Sequence, residues 1–298
     1  MSKILKWIKY PLEKKKFSFF FYLYKIVFIK IKKKFSKVLD LVHFDVDKTT
    51  ELKYTESANG KFLVFTNDGG ISRQIFINKE YNLNSLKKVI KIIGKQNIIF
   101  DVGANLGTTC ITALKQKYAK YSIAIEAEKN LFRLLNLNIQ LNNMNNNIVP
   151  LNFAASDKHE YFDLIKNNKN YGANFIKKKA NNKNLKNKIQ SLKLDDLVKY
   201  LKKKTLIWID VQGNESKVLK GSSKLIKKKI PFVIEFWPYG INRSNNKENL
   251  KKELEKFKYF FDLNYKKPII KKISPENIEA LFKKYNQKKA TELLLINR

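Results

Sequence analysis

Short apolar runs in the middle of the chain end in glycines and carboxylates, the residue types that hold a ribose-bearing ligand. Residues 101–107, Asp-Val-Gly-Ala-Asn-Leu-Gly, follow the apolar run 98–100 and precede a helix predicted over 108–117. A strand predicted over 121–125 then ends at Glu126. In an open α/β sheet, ligands bind at the carboxyl ends of the strands, and an acid about 20 residues after the glycine loop accepts hydrogen bonds from ribose hydroxyl groups. Glu126 is therefore the predicted ribose ligand.

The spacing of the glycines discriminates between classes of nucleotide. Gly103 and Gly107 are four residues apart, and Asn105 stands where a further glycine would admit a pyrophosphate, which disfavours NAD. No Gly-Lys-Ser/Thr follows, so this is not a Walker loop. S-adenosylmethionine, which has no phosphates, fits better: its amino-acid end would contact the loop and Asp101, and its ribose would contact Glu126. The alternative is a tight strand-to-helix turn that binds no ligand.

Two further acids follow predicted strands and are the candidates for catalysis. The apolar run 205–209 is typical of a buried parallel strand and is followed by Asp210. The next apolar run, 231–236, carries Glu235 near its end. Asp210 is the first candidate for a base that takes a proton from an acceptor hydroxyl group or orients it, and Glu235 is the second. Both could instead be cofactor ligands or structural carboxylates.

Strands and helices alternate along this part of the chain, which predicts a doubly wound α/β sheet. Residues 259–263 and 291–296 are predicted as an antiparallel pair of strands that closes the sheet. Ser156 and Asp157 lie in the turn after a third predicted strand, where they are candidates to contact an adenine edge. It is equally consistent with the sequence that they only cap that turn.

In their order and spacing, these motifs resemble the FkbM-type S-adenosylmethionine-dependent methyltransferases, over roughly residues 60 to 240. The resemblance rests on residues 101–107, Glu126, 154–157, 194–197, 210–215 and 219–221. It implies a class I methyltransferase fold of the Rossmann-like type and the methylation of a hydroxyl oxygen, often on a sugar or a polyketide. The chain departs from the family pattern at Gln212, where Glu is usual, and at Ala127, where Pro is usual.

Composition limits the remaining possibilities. The 298 residues accommodate one Rossmann-like domain of about 200 residues with extensions. We divide the chain into an N-terminal segment (1–40), a hairpin and helix (41–95) and a methyltransferase domain (96–298). The net charge of +35 indicates either an anionic partner or the lysine excess of an AT-rich coding bias, since only four basic residues are Arg. Cys110 is the single cysteine, so no disulfide or Cys-rich metal site is expected.

The N-terminal segment is basic and aromatic. Residues 17–31 are rich in aromatic and aliphatic side chains but contain lysines, and lysine triplets flank them at 14–16 and 32–34. The run is too short and interrupted for a transmembrane helix, and no small-residue cleavage site follows it. It is predicted either to lie in the interface of an anionic membrane or to pack on the catalytic domain, in a cytoplasmic protein.

A hairpin is predicted between this segment and the core. Residues 61–66 and 71–77 flank the turn sequence Asn-Asp-Gly-Gly at 67–70, which favours a hairpin beside the cofactor site.

The sequence therefore predicts methyl transfer from S-adenosylmethionine to a hydroxyl group of a sugar, glycan or other small metabolite. One alternative is a non-catalytic, membrane-associated binding protein on the same fold. Another is a nucleic-acid methyltransferase, which would explain the charge. It is disfavoured because no Asn/Asp-Pro-Pro-aromatic motif follows residues 205–209 and because Cys110 has no preceding proline.

Overall fold

A computed structural model describes residues 51–167, 169–177, 188–286 and 289–297, all within one compact unit, Val46–Arg298. The N-terminal segment 1–40 lies outside the described residues, so its contact with a membrane stays a prediction. Within the described ranges, no helix combines the length and the apolar character needed to cross a membrane.

Fourteen strands and nine helices are described, besides two short 3₁₀ helices at Tyr171–Ala173 and Leu194–Tyr200. The strands are β1 Leu52–Glu56, β2 Lys61–Phe65, β3 Ile98–Val102, β4 Tyr121–Ile125, β5 Ile148–Leu151, β6 Ala154–Ala155, β7 Tyr161–Ile165, β8 Phe175–Lys177, β9 Ile189–Leu192, β10 Thr205–Ile209, β11 Phe232–Phe236, β12 Tyr259–Asp262, β13 Ile270–Lys272 and β14 Thr291–Ile296. The helices are α1 Ile71–Asn78, α2 Leu83–Ile93, α3 Thr108–Lys115, α4 Lys129–Leu141, α5 Glu215–Lys220, α6 Ser223–Lys227, α7 Pro238–Arg243, α8 Lys247–Leu254 and α9 Pro275–Lys284.

The central sheet has eight strands in the order β13-β12-β14-β11-β10-β3-β4-β5. Strands β11, β10, β3, β4 and β5 run parallel, and β14 inserts antiparallel between β11 and β12. Every residue of β3 and β10 is buried, as expected for central strands whose two faces are both covered. The predicted doubly wound sheet and the antiparallel pair that closes it, β12 and β14, are therefore confirmed.

The predicted position of the hairpin is wrong. The hairpin is formed by β1 and β2, and the predicted second strand is helix α1. The cause is Asp68, whose carboxylate accepts hydrogen bonds from the N–H groups of Gly70 and Ser72, both at 2.9 Å. These bonds satisfy N–H groups at the start of a helix, so the Asn-Asp-Gly-Gly sequence starts α1 instead of turning between strands. Ile75 is buried within α1, while Ile77 is exposed.

A small sheet, with its strands in the order β6-β9-β7-β8, begins directly after β5 in the chain. The turn between β7 and β8 is bound to the start of α1. Gly69 donates its N–H to the Lys169 carbonyl at 2.8 Å, and Tyr171 donates its N–H to the Asp68 carboxylate at 3.0 Å. The Tyr171 ring also packs edge-on against Phe65, with the ring centroids 5.2 Å apart. The N-terminal hairpin and the small sheet are thus joined close to the carboxyl edge of the central sheet.

Candidate functional site

A cavity opens at the carboxyl edge of β3, β4 and β10. Its floor comes from the loops that follow these strands, and its walls come from β6, from the start of α1 and from the turn between β7 and β8. Among the residues that line it are Gly103, Asn105, Glu126, Phe153, Ala154, Ala155, Tyr171, Asn174, Asp210 and Gln212. The structure therefore brings the predicted ribose ligand and the first catalytic candidate to the same cavity.

Glu126 fixes the glycine loop and also faces the cavity. Its Oε2 accepts the N–H of Asn105 at 2.8 Å, and its Oε1 accepts the N–H of Glu128 at 2.7 Å. Burial raises the pKa of Glu126 to about 7. Each carboxylate oxygen has a second lone pair, so Glu126 can accept hydrogen bonds from two ligand hydroxyl groups without releasing the loop.

The two glycines of the loop have different roles. Gly103 has φ +85°, and a Cβ atom there would lie 1.9 Å from the carbonyl oxygen of Asp210, so any side chain would separate the two loops. Gly107 has φ +91°, and a Cβ atom there would lie 2.8 Å from side-chain atoms of Ile111 and Leu135. Gly103 lines the cavity, whereas Gly107 allows α3 to pack tightly against α4.

Asp101 lies beneath the loop. It is 2% exposed, and its carboxylate accepts the N–H of Cys110 in the first turn of α3 at 2.9 Å. Burial raises its pKa to about 7, although the hydrogen bond from Cys110 opposes this shift. The structure thus gives Asp101 a role in holding the start of α3, and it is not among the residues that line the cavity.

Ser156 and Asp157 are not among the residues that line the cavity. The Asp157 carboxylate is paired with the Lys220 ammonium group at 3.1 Å, and Ser156 Oγ lies 3.4 Å from Asp157 Oδ1. The cavity wall beside them is formed by Ala154 and Ala155. This placement agrees with the alternative that these two residues stabilise a turn.

The two predicted catalytic acids share one donor. Gln212 Nε2 donates hydrogen bonds to Asp210 Oδ1 at 2.7 Å and to Glu235 Oε2 at 3.0 Å. Burial raises the pKa of both acids, and the negative charge of Asp210 raises the pKa of Glu235 further. Two carboxyl groups this close in a buried site retain one proton between them. The negative charge of Asp210 favours that proton on Glu235, and the two acids titrate as a pair.

A third carboxyl group borders this pair. Glu292 is opposite Glu235 in the pairing of β14 with β11, and it accepts hydrogen bonds from Asn82 at 2.5 Å and from Ser85 at 3.0 Å. Burial, together with the charges of Asp210, Glu235 and Glu292, raises the pKa of Tyr81 well above its usual value. The Tyr81 phenol is therefore neutral beside these acids. Within the described ranges, no cluster of three or more His, Cys, Asp and Glu side chains is suited to hold a metal ion.

The loop that carries Asp210 is supported from outside the cavity. Glu215 Oε1 accepts the N–H groups of Val211 and Gly213, at 3.1 and 3.2 Å. Arg243 Nη2 donates to the carbonyl oxygen of Gln212 at 2.9 Å. Arg243 lies in none of the sequence motifs that predicted the site. Its one available signal was the scarcity of arginine in a lysine-rich chain.

The sequence model of one family, described as the Methyltransferase FkbM domain, matches residues 101–286. The chain belongs to this family. The family inferred from the motifs, and with it the methyltransferase class, is confirmed. No curated protein matches the sequence.

Several solved structures are similar. Methyltransferase FkbM from Methylobacillus flagellatus KT is 17% identical, with a TM-score of 0.41, and the match covers 67% of this chain and 43% of that one. The 16S rRNA N2 G1207 methyltransferase RsmC of T. thermophilus, in complex with AdoMet and guanosine, is 10% identical (TM-score 0.43; 86% and 52% covered). The B. subtilis tRNA methyltransferase TrmK is 12% identical (TM-score 0.37; 72% and 64% covered). The chain thus spans about half the length of these proteins.

The buried carboxyl groups predict how stability depends on pH. Burial raises the pKa values of Asp101, Glu126 and Glu215 to about 7, from 3.8 for the Asp and 4.5 for each Glu. The folded protein therefore binds these protons more tightly than the unfolded chain does. Their contribution is fully present below about pH 4 and is lost as the pH rises through 7.

The free energy of unfolding of the ligand-free protein should be lower at pH 8 than at pH 5.5, as measured by urea denaturation. Each group contributes a slope of at most about 1.4 kcal/mol per pH unit. The Glu126→Gln variant, which has one such group fewer, should show a shallower dependence. An unfolding free energy that increases between pH 5.5 and pH 8 would contradict the assignment.

Proposed function

We propose that the protein transfers a methyl group from S-adenosylmethionine to a hydroxyl group of a sugar, glycan or other small metabolite. The observation that carries this proposal is the cavity lined by both Glu126 and Asp210. Glu126 offers an acceptor for ribose hydroxyl groups, and Asp210 offers a carboxyl group for the proton of the methyl acceptor.

The residues of the cavity fit the proposed cofactor. When bound, S-adenosylmethionine supplies an electrophilic methyl group on a sulfonium cation. Glu126 has unused lone pairs for the ribose, and Leu131, Phe153 and Ala154 provide an apolar wall for the adenine.

Asp210 is the proposed base. It takes the proton of the acceptor hydroxyl group as the acceptor oxygen forms its bond to the methyl carbon and the carbon–sulfur bond breaks, leaving a neutral thioether. The charge of Asp210 raises the pKa of Glu235, which favours the shared proton on Glu235 and leaves Asp210 to act as the base. Gln212 orients the two carboxyl groups through its hydrogen bonds to both.

We also infer that the protein works in the cytoplasm and that residues 1–40 bind an anionic membrane surface. Aromatic side chains within 17–31 would bury apolar area in the interface, and each neighbouring lysine would contribute about 1 kcal/mol.

The first prediction from the proposed function concerns binding of the cofactor. Changing Glu126 to Ala removes the acceptor of both ribose hydroxyl groups, each bond to a charged group being worth roughly 1.5 to 3 kcal/mol. The affinity for S-adenosylmethionine, measured by calorimetry, should fall by about tenfold or more. Because the N–H groups of Asn105 and Glu128 also lose their acceptor, Glu126→Gln provides a milder variant.

Circular dichroism establishes that both Glu126 variants are folded. The control is Glu255→Gln, which changes an exposed acid outside the cavity and should leave the affinity unchanged. Unchanged affinity in a folded Glu126→Ala variant would refute the cofactor assignment.

The second prediction concerns turnover. Asp210→Asn should reduce the rate at which S-adenosylhomocysteine forms with a sugar or glycan acceptor by about 10² or more, and should leave the affinity for S-adenosylmethionine within about twofold. If affinity and turnover fall together, Asp210 belongs to the cofactor contacts. If the parent protein methylates RNA and none of the sugar acceptors, the nucleic-acid alternative is correct. If it binds the cofactor and methylates neither, the non-catalytic alternative is correct.

The third prediction concerns the membrane. The full chain should sediment with vesicles of anionic lipid and not with zwitterionic ones, and added salt should weaken sedimentation because charges are screened within about 8 to 10 Å. Deleting residues 1–40 should abolish it. If the shortened chain still sediments, the binding surface lies elsewhere.

A further inference from the structure

Arg243 connects the loop of the proposed base to the small sheet that borders the cavity. It is the last residue of α7, and its Nη2 donates to the Gln212 carbonyl oxygen at 2.9 Å. Its guanidinium carbon lies 3.9 Å from the centroid of the Phe175 ring in β8 and 5.2 Å from that of Trp237. One side chain therefore contacts the loop that carries Asp210, strand β8 of the small sheet and the residue that follows β11.

The loop needs such a support because Gln212 has a strained backbone. Its φ is +57°, a left-handed conformation that is unfavourable for a residue other than glycine. The conformation persists only where neighbouring groups hold it. Asn246 donates to the Gly213 carbonyl oxygen at 2.9 Å, and Arg243 is the donor to the carbonyl oxygen of Gln212 itself.

The conformation of Gln212 has a direct consequence for the two acids. It places the side-chain amide where Nε2 reaches Asp210 and Glu235 together, at 2.7 and 3.0 Å. The bond from Gln212 stabilises the ionised form of Asp210 and so lowers its pKa against the effect of burial. Losing this bond would shift the protonation of Asp210 to higher pH.

Lysine could not replace Arg243 in these contacts. A guanidinium group is planar, so it can stack on an aromatic ring while an N–H at its edge donates to a carbonyl group. An ammonium group has no face with which to stack. In a chain whose 61 basic residues include only four arginines, this geometry gives a physical reason for arginine at position 243.

We propose that Arg243 is a positioning residue that holds the Gln212 side-chain amide between Asp210 and Glu235. This inference rests on the proposed function only in taking Asp210 as the base. The arrangement of Arg243, Gln212 and the two acids can be tested without any turnover.

The test is a titration of the Asp210 carboxyl group by ¹³C NMR in the full chain, with Asp210→Asn used to assign its signal. Arg243→Lys keeps the positive charge but loses the planar guanidinium group that stacks on Phe175 and donates to Gln212. In this variant the titration midpoint of Asp210 should move upward by about half a pH unit or more. Gln212→Ala should produce the same shift. The double variant should shift no further than Gln212→Ala alone, because both changes remove one interaction. Arg73→Lys, an exposed arginine on α1, is the matched control and should not move the midpoint.

Activity gives the second readout. In Arg243→Lys, the rising limb of the plot of kcat against pH should move upward with the Asp210 midpoint, and the affinity for S-adenosylmethionine should stay within about twofold. An unshifted midpoint in a folded Arg243→Lys variant would overturn the proposal. So would a further shift in the double variant, since Arg243 would then act independently of Gln212. If the parent protein has no turnover, the proposed function fails, while the NMR result still decides the role of Arg243.

Discussion

The close approach of two backbones holds the candidate site together. Gly103 lies so near the Asp210 carbonyl that an added Cβ atom would be 1.9 Å from that oxygen. This contact is available because β3 and β10 are adjacent parallel strands whose loops leave the sheet at the same edge. It joins the loop anchored by Glu126 to the loop that carries Asp210, so that both residues line one cavity.

Burial of carboxyl groups is the main electrostatic feature of this edge. Each buried acid costs free energy unless donors surround it, and in this protein those donors are mainly backbone N–H groups. Glu126 accepts two of them, and Glu215 accepts two from the loop after β10. Asp210 and Glu235 differ in that they share a side-chain amide. They have fewer donors, and the charge of Asp210 acts on Glu235, so the pKa values of both are raised.

The motifs that carry the family resemblance divide between the cavity and the scaffold. Glu126 and Asp210 line the cavity. Asp195 instead accepts N–H groups at the start of α6, and Gly221 is so close to the Ser156 carbonyl that a Cβ atom would lie 2.1 Å from it. Gly221 thus brings the end of α5 against the residue that follows β6, the strand that lines the cavity.

Sequence alone determined the alternation of strands and helices, the loop at 101–107 and the acids at strand ends, because apolar periodicity and glycine spacing are local properties of the chain. The prediction of a strand at residues 71–77 was wrong. The local turn sequence is compatible with a hairpin and with the start of a helix, and the Asp68 carboxylate starts a helix there. Only the tertiary structure decided which acids face the cavity and that Arg243 supports Gln212. Those outcomes depend on hydrogen bonds between residues 21 to 31 positions apart, and such pairs meet only when the strands are in register.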